Sequence, residues 1–149
     1  MKTTQTEANY VAWLSAESMH DTSRNWLSEL LFVRDEQLFF DDLIKSYTLQ
    51  LIDSKHFNKS KKIVSKLVSI QKETNVLIET LNAHERGLDI MVDKKDQLDE
   101  EENYKNAHRE LIVLLSDFFE AYQSIKKQLY KLIKGIIKEN NQKRLLEKF

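Results

Sequence analysis

The stretch YKNAHRELIVLLSDFFEAYQSIKKQLYKLIKGI, residues 104–136, carries the clearest pattern in this 149-residue chain. Its large apolar and aromatic side chains, together with one histidine, recur at steps of three or four residues. That spacing places them on one face of an α-helix, which has about 3.6 residues per turn. The stripe comprises Tyr104, His108, Leu111, Leu115, Phe118, Tyr122, Ile125, Leu129, Leu132 and Ile136. We therefore predict a long helix over residues 100–146.

Two earlier segments, residues 22–52 and 59–92, show the same spacing and predict two more long helices. The polar stretches that separate the three segments, residues 53–58 and 93–98, are rich in Asp, Lys and Ser, and Asp and Ser favour turns and helix caps. A weaker apolar pattern in residues 1–20 predicts a short N-terminal helix, with a break near residues 19–23.

Composition supports the same fold class. The chain has no proline and two glycines, so it lacks the tight turns on which β-hairpin folds depend. We predict an all-α, up-down antiparallel bundle of three long helices plus a short N-terminal helix, forming one domain over residues 1–149. The expected core residues are Trp26, Leu30, Phe40, Leu67, Leu77, Leu81, Leu111, Leu115, Phe118, Tyr122 and Leu129.

Several kinds of chemistry are excluded or unsupported by the residues present. Cysteine is absent, which rules out disulfides, thiolate nucleophiles and cysteine-ligated zinc. Glycine-rich phosphate loops, a G-x-S-x-G turn and an H-E-x-x-H motif are also absent, so no reaction type is indicated. The N-terminal residues lack the apolar core of a signal peptide, and no apolar run approaches the roughly 20 residues that span a bilayer. We expect a cytoplasmic protein without enzymatic activity.

Two histidines lie on predicted apolar stripes. In an antiparallel hairpin centred near residue 96, equal helical rise brings His84 and His108 to the same level, with Glu29 near that level on the first helix. Two imidazoles and a carboxylate, with Glu36 as a further candidate, predict a site for iron, manganese or zinc. The alternative, which we favour, is that both histidines are ordinary core residues bonded to neighbours, and that Glu36 reaches water from the edge of its stripe. On that alternative no cofactor is expected.

The net charge is −1, but the charges are unevenly placed along the chain. One group of lysines opens the second helix and another follows the later part of the third, so an antiparallel bundle brings both to one end. This predicted basic surface comprises Lys59, Lys61, Lys62, Lys66, Lys127, Lys131, Lys134 and Lys138. Residues 129–138 also form a basic amphipathic stretch, which is typical either of a membrane or partner-binding helix or of a core helix with a solvated back. The lysines have few aromatic or arginine neighbours, so we expect no specific nucleic-acid recognition.

Three functional hypotheses follow from these patterns. The first is a non-enzymatic interaction or scaffold protein that binds a protein partner or a second copy of itself, as a dimer. The second is a metal-binding bundle that uses the two histidines. The third is a peripheral protein that contacts an anionic membrane surface or an acidic partner through the lysine-rich end.

Overall fold

The computed structural model describes residues 15–93 and 98–148, and the side chains of residues 15–88 and 100–148 within them. It contains helices α1 (Ala16–Ser46), α2 (Thr48–Leu51), α3 (Phe57–Asp93) and α4 (Leu98–Glu147), and no strand occurs in these residues. The three long helices pack against each other, which confirms the predicted all-α bundle. The predicted turn at residues 93–98 falls largely outside the described residues, as does most of the predicted N-terminal helix.

The predicted helix break near residues 19–23 is wrong. Helix α1 runs through these residues and starts earlier, because the Ser15 hydroxyl oxygen accepts a hydrogen bond from the Ser18 backbone N–H at 3.1 Å and so caps the helix. Within the predicted break, Thr22 donates its hydroxyl hydrogen to the Ser18 carbonyl of the same helix, at 2.9 Å. Ser23 is completely buried.

The first reversal of the chain lies where the sequence predicts it. Helix α1 ends at Ser46, and the short helix α2 follows after Tyr47, whose φ of −114° and ψ of 18° depart from helical values. The Asp53 carbonyl then accepts hydrogen bonds from the backbone N–H groups of His56 and Phe57, both at 2.9 Å, and α3 begins. These two backbone hydrogen bonds close the turn that leads into α3.

The contacts divide the chain into two compact units, each built from segments of all three long helices. Unit 1 contains residues 1–32 and 74–118, and unit 2 contains residues 33–73 and 119–149. In unit 1 the buried apolar residues are Met19, Leu30, Leu77, Ile78, Leu81, Leu88, Leu111, Leu115 and Phe118. In unit 2 they are Val33, Phe40, Leu51, Ile63, Leu67, Ile70, Tyr122, Ile125, Leu129, Leu132, Ile133 and Ile136.

The helical period therefore identified the core well. Of the eleven core residues predicted, all except Trp26 are buried, and Trp26 is half-buried. In the part of the chain that the structure describes, none of the helices combines the length and the apolar character needed to cross a bilayer. The apolar residues instead form the stripes that face the cores of the two units.

Candidate functional site

The two histidines on the apolar stripes meet in unit 1, as their positions in the sequence predict. His84 Nε2 lies 3.0 Å from His108 Nδ1, a distance at which one ring donates a hydrogen bond to the other. His108 is completely buried and His84 is 8% exposed. The predicted pairing of these rings is thus confirmed.

Aromatic rings cover both members of this histidine pair. The Tyr104 ring stacks on His84 with centroids 4.1 Å apart and an interplanar angle of 7°, and Trp26 lies 5.0 Å from His108. A surface groove of about 480 Å³ is lined by His84 and Tyr104 but not by His108. Water therefore reaches the pair from the side of His84, while His108 is enclosed.

Burial determines the protonation state of the pair. Loss of solvation lowers the pKa of His84 from its ordinary value. Burial, and then the proximity of His84, lower the pKa of His108 to about 4. With both pKa values lowered, both imidazoles are neutral at neutral pH. A neutral ring offers one donor and one acceptor nitrogen, so one ring can donate to the other.

The carboxylates predicted to complete a metal site do not join this pair. Glu29 is exposed on α1, and Glu36 belongs to unit 2. Glu85, the sequence neighbour of His84, instead pairs with His20, whose Nδ1 lies 2.6 Å from Glu85 Oε2. Among the residues that the structure describes, no three or more metal-ligating side chains come together. The metal site thus stays a sequence prediction without a third ligand.

Glu36 is partly buried in unit 2, and its carboxylate is bonded to side chains of α4. Its side chain is 16% exposed, and Lys126 Nζ lies 3.0 Å from its Oε1 atom. The Tyr122 hydroxyl donates a short hydrogen bond to the same carboxylate. Burial raises the pKa of Tyr122, and the hydrogen bond to Glu36 raises it further. The ion pair and hydrogen bond compensate the cost of removing this carboxylate from water.

The predicted basic surface is exposed and belongs to unit 2. All eight of its lysines are exposed, and none of them forms an ion pair with another described residue. Unit 2 carries 16 basic and 9 acidic residues, a formal net charge of +7. Unit 1 carries 7 basic and 15 acidic residues, a formal net charge of −8. The near-neutral chain is therefore composed of two strongly and oppositely charged units.

The apolar face of the basic amphipathic stretch, residues 129–138, is not available for docking. Leu129, Leu132, Ile133 and Ile136 are all buried in the core of unit 2. This outcome favours the interpretation of a core helix with a solvated lysine back over that of a docking helix. The lysines themselves remain exposed on that back.

Other apolar side chains of unit 2 are exposed, and the sequence analysis did not identify them as a group. Leu49 and Ile52, in and just after α2, are 79% and 58% exposed, and Phe57 at the start of α3 is 46% exposed. On α4, where every residue from 141 to 147 is exposed, Leu145 and Leu146 are 59% and 74% exposed. We call these five residues the apolar end.

A carboxylate on α4 ties the turn between α2 and α3 to that helix. Glu139 Oε1 lies 2.8 Å from Lys55 Nζ, and Glu139 Oε2 lies 3.1 Å from His56 Nε2. The hydrogen bond from Lys55, followed by that from His56, lowers the pKa of Glu139, and the same contact raises the pKa of Lys55. These partners are more than 80 residues apart in sequence, so no local pattern predicts the contact.

No protein-family profile, curated protein or solved structure matches this chain.

Proposed function

We propose that this chain is a non-enzymatic interaction protein that binds an acidic macromolecular surface through its basic surface. The observation that carries the proposal is the set of eight exposed lysines, without ion-pair partners among the described residues, on a unit with a net charge of +7. A cluster of unneutralised charges of one sign attracts opposite charge over roughly the Debye length, about 8 Å at physiological salt. Lysines held in internal ion pairs contribute less to such a field.

The buried polar groups support a binding role over a catalytic one. His84 is bonded to His108, and Glu36 is bonded to Tyr122 and Lys126. Each of these clusters joins different helix segments within its own unit, so it stabilises the packing there. A general base needs a free lone pair within reach of a substrate. His108 Nε2 has no hydrogen-bond partner among the described residues, but His108 is completely buried and does not line the groove beside His84. The Glu36 carboxylate is bonded to Tyr122 and Lys126.

Retention on a heparin column, a sulfated polyanion, tests the proposal. The variant Lys62→Glu/Lys131→Glu changes the charge of the basic surface by −4, and we expect it to elute at clearly lower salt than the unmodified protein. Arg24→Glu/Arg86→Glu is the matched control, because it changes the net charge equally at two exposed positions of unit 1. Equal shifts for both variants, or elution of the unmodified protein without retention, would refute the proposal.

Self-association is a second candidate, and the opposite charges of the two units favour it. The acidic unit 1 of a second copy offers the kind of surface that the basic unit 2 attracts, and exchange of these contacts between two copies closes a symmetric dimer. Light scattering at tens of micromolar protein tests it at low and high salt. We expect a dimer that dissociates as salt rises; a monomer under all conditions would exclude this candidate.

A further inference from the structure

We infer that the partner of unit 2 is an anionic lipid surface, into which the apolar end inserts while the surrounding lysines contact the headgroups. This inference rests on the proposed function and names the class of surface that the basic unit binds. Two features of unit 2 carry it: the exposure of the five apolar side chains and the basic residues that surround them.

Two of these side chains are highly exposed. Leu49 and Leu146, at 79% and 74%, are the two most exposed of the large apolar residues that the structure describes. Each leaves most of its surface in water, where apolar area is unfavourable by roughly 25 cal/mol per Å². An apolar environment that receives them would recover this free energy.

The apolar end is assembled from two parts of the chain that a specific contact holds together. Leu49, Ile52 and Phe57 flank the turn whose Lys55 and His56 are bonded to Glu139. About two helical turns farther along α4, Leu145 and Leu146 follow from the same helix. The contacts of Glu139 with Lys55 and His56 therefore join the turn to α4, and both parts of the apolar end belong to unit 2.

Basic residues stand beside both parts of the apolar end. Lys59, Lys61 and Lys62 lie two to five residues after Phe57 in sequence and are exposed. Near Leu145 and Leu146 the exposed basic residues are Lys138, Lys143, Arg144 and Lys148. Apolar side chains flanked by lysines are the arrangement with which peripheral proteins enter the boundary between headgroups and acyl chains of an anionic bilayer.

Residue type favours a lipid surface over an acidic protein. Unit 2 carries 14 lysines and 2 arginines. Protein interfaces are enriched in arginine and depleted in lysine, because arginine makes bidentate bonds to carboxylates and loses less solvation. A bilayer needs no fixed bonding geometry, and it accepts protruding apolar side chains without a complementary pocket.

Co-sedimentation with vesicles tests the inference. The probes are vesicles of phosphatidylcholine alone and of phosphatidylcholine with phosphatidylserine, at low and physiological salt. We expect binding to the serine-containing vesicles and a loss of about tenfold in affinity for Leu49→Ser/Leu146→Ser, since two leucines no longer leave water. The matched control is Val76→Ser/Val113→Ser, which changes apolar residues that are 59% and 62% exposed but lie in unit 1. Circular dichroism verifies that both variants are folded.

The outcomes separate this inference from the proposed function. Equal vesicle binding by both variants would overturn insertion of the apolar end. Retention on heparin without binding to either kind of vesicle would overturn the lipid surface, leave the proposed function intact and indicate an acidic protein instead. Failure to bind both heparin and vesicles would overturn both.

Discussion

Acidification should weaken the fold through the buried histidine pair. The pKa of His108 is lowered from an ordinary value of 6.5 to about 4, because burial penalises the charged ring. As the pH falls below about 6.5, His108 becomes protonated in the unfolded chain but stays neutral in the folded chain until the pH approaches 4. Protonation therefore favours the unfolded state. The free energy of unfolding is highest above pH 6.5 and decreases as the pH falls below that value.

The size of the effect follows from the difference between the two pKa values. For His108 alone, the free energy of unfolding should fall by about 2 kcal/mol between pH 7.5 and pH 5, and by about 3 kcal/mol at pH 4. Below about pH 4 the folded form binds the proton too, so the loss levels off. The pKa of His84 is lowered as well, which adds a loss in the same direction.

Urea unfolding followed by circular dichroism at pH 7.5, 6.5, 5.5 and 5 measures this loss. Stopping at pH 5 keeps most carboxylates ionised, including Glu139, whose pKa is lowered by Lys55 and His56. In His84→Leu/His108→Leu the two titrating rings are replaced by apolar side chains, so the pH-dependent loss should shrink by at least about 2 kcal/mol. His20→Gln is the control, because it removes a partly exposed histidine and keeps the buried pair.

Two results would contradict this reasoning. If the stability of the unmodified protein is unchanged between pH 7.5 and pH 5, the rings do not remain neutral in the folded state. If His84→Leu/His108→Leu loses as much stability as the unmodified protein, the acid sensitivity comes from other groups.

Three further changes test the packing. Glu36→Gln should cost about 1–3 kcal/mol in urea unfolding, because its partly buried partner Lys126 loses a counter-charge. Asp35→Asn, at an exposed neighbouring position, should have little effect, and equal costs for the two variants would show that the Glu36 ion pair is not structural. Gly135→Ala should raise the free energy of unfolding by about 0.5–1 kcal/mol, because glycine destabilises a helix interior and an added Cβ meets no atom within 4 Å. A lower melting temperature would contradict that geometry. Leu115→Ala should cost about 2–5 kcal/mol, because the side chain is completely buried. Val113→Ala, at a 62% exposed position, should cost far less. Similar losses for the two variants would place Leu115 outside the core.

The sequence allowed accurate prediction of the features that depend on helical period. The stripe of residues 104–136 identified a helix and its buried face, because side chains three and four residues apart share one side. The meeting of His84 and His108 was also predictable, since two antiparallel helices with equal rise and a short connection match residues symmetrically about the turn. The lysine clusters followed from the same topology.

Other features depend on contacts that no local pattern encodes. The start of α1 was misplaced because one serine hydroxyl, at Ser15, competes successfully with several other plausible caps nearby. Helical period predicts the side of a helix to within part of a turn, and so it cannot decide whether a residue at the edge of a stripe is buried. Glu29 is exposed and Glu36 is enclosed by a tyrosine and a lysine more than 80 residues away, although both lie beside apolar stripes.

The sequence by itself determined that this chain is helical, which faces are apolar and where its charge accumulates. Those properties depend on residue type and on spacing within one helix, which neighbouring helices scarcely alter. Tertiary structure alone decided that the apolar face of the basic stretch, residues 129–138, is buried in the core of unit 2. It also decided that Glu139 on α4 bonds to the turn between α2 and α3. The physical reason is that burial and hydrogen bonding are properties of several helices packed together, and one amphipathic sequence is compatible with many such packings.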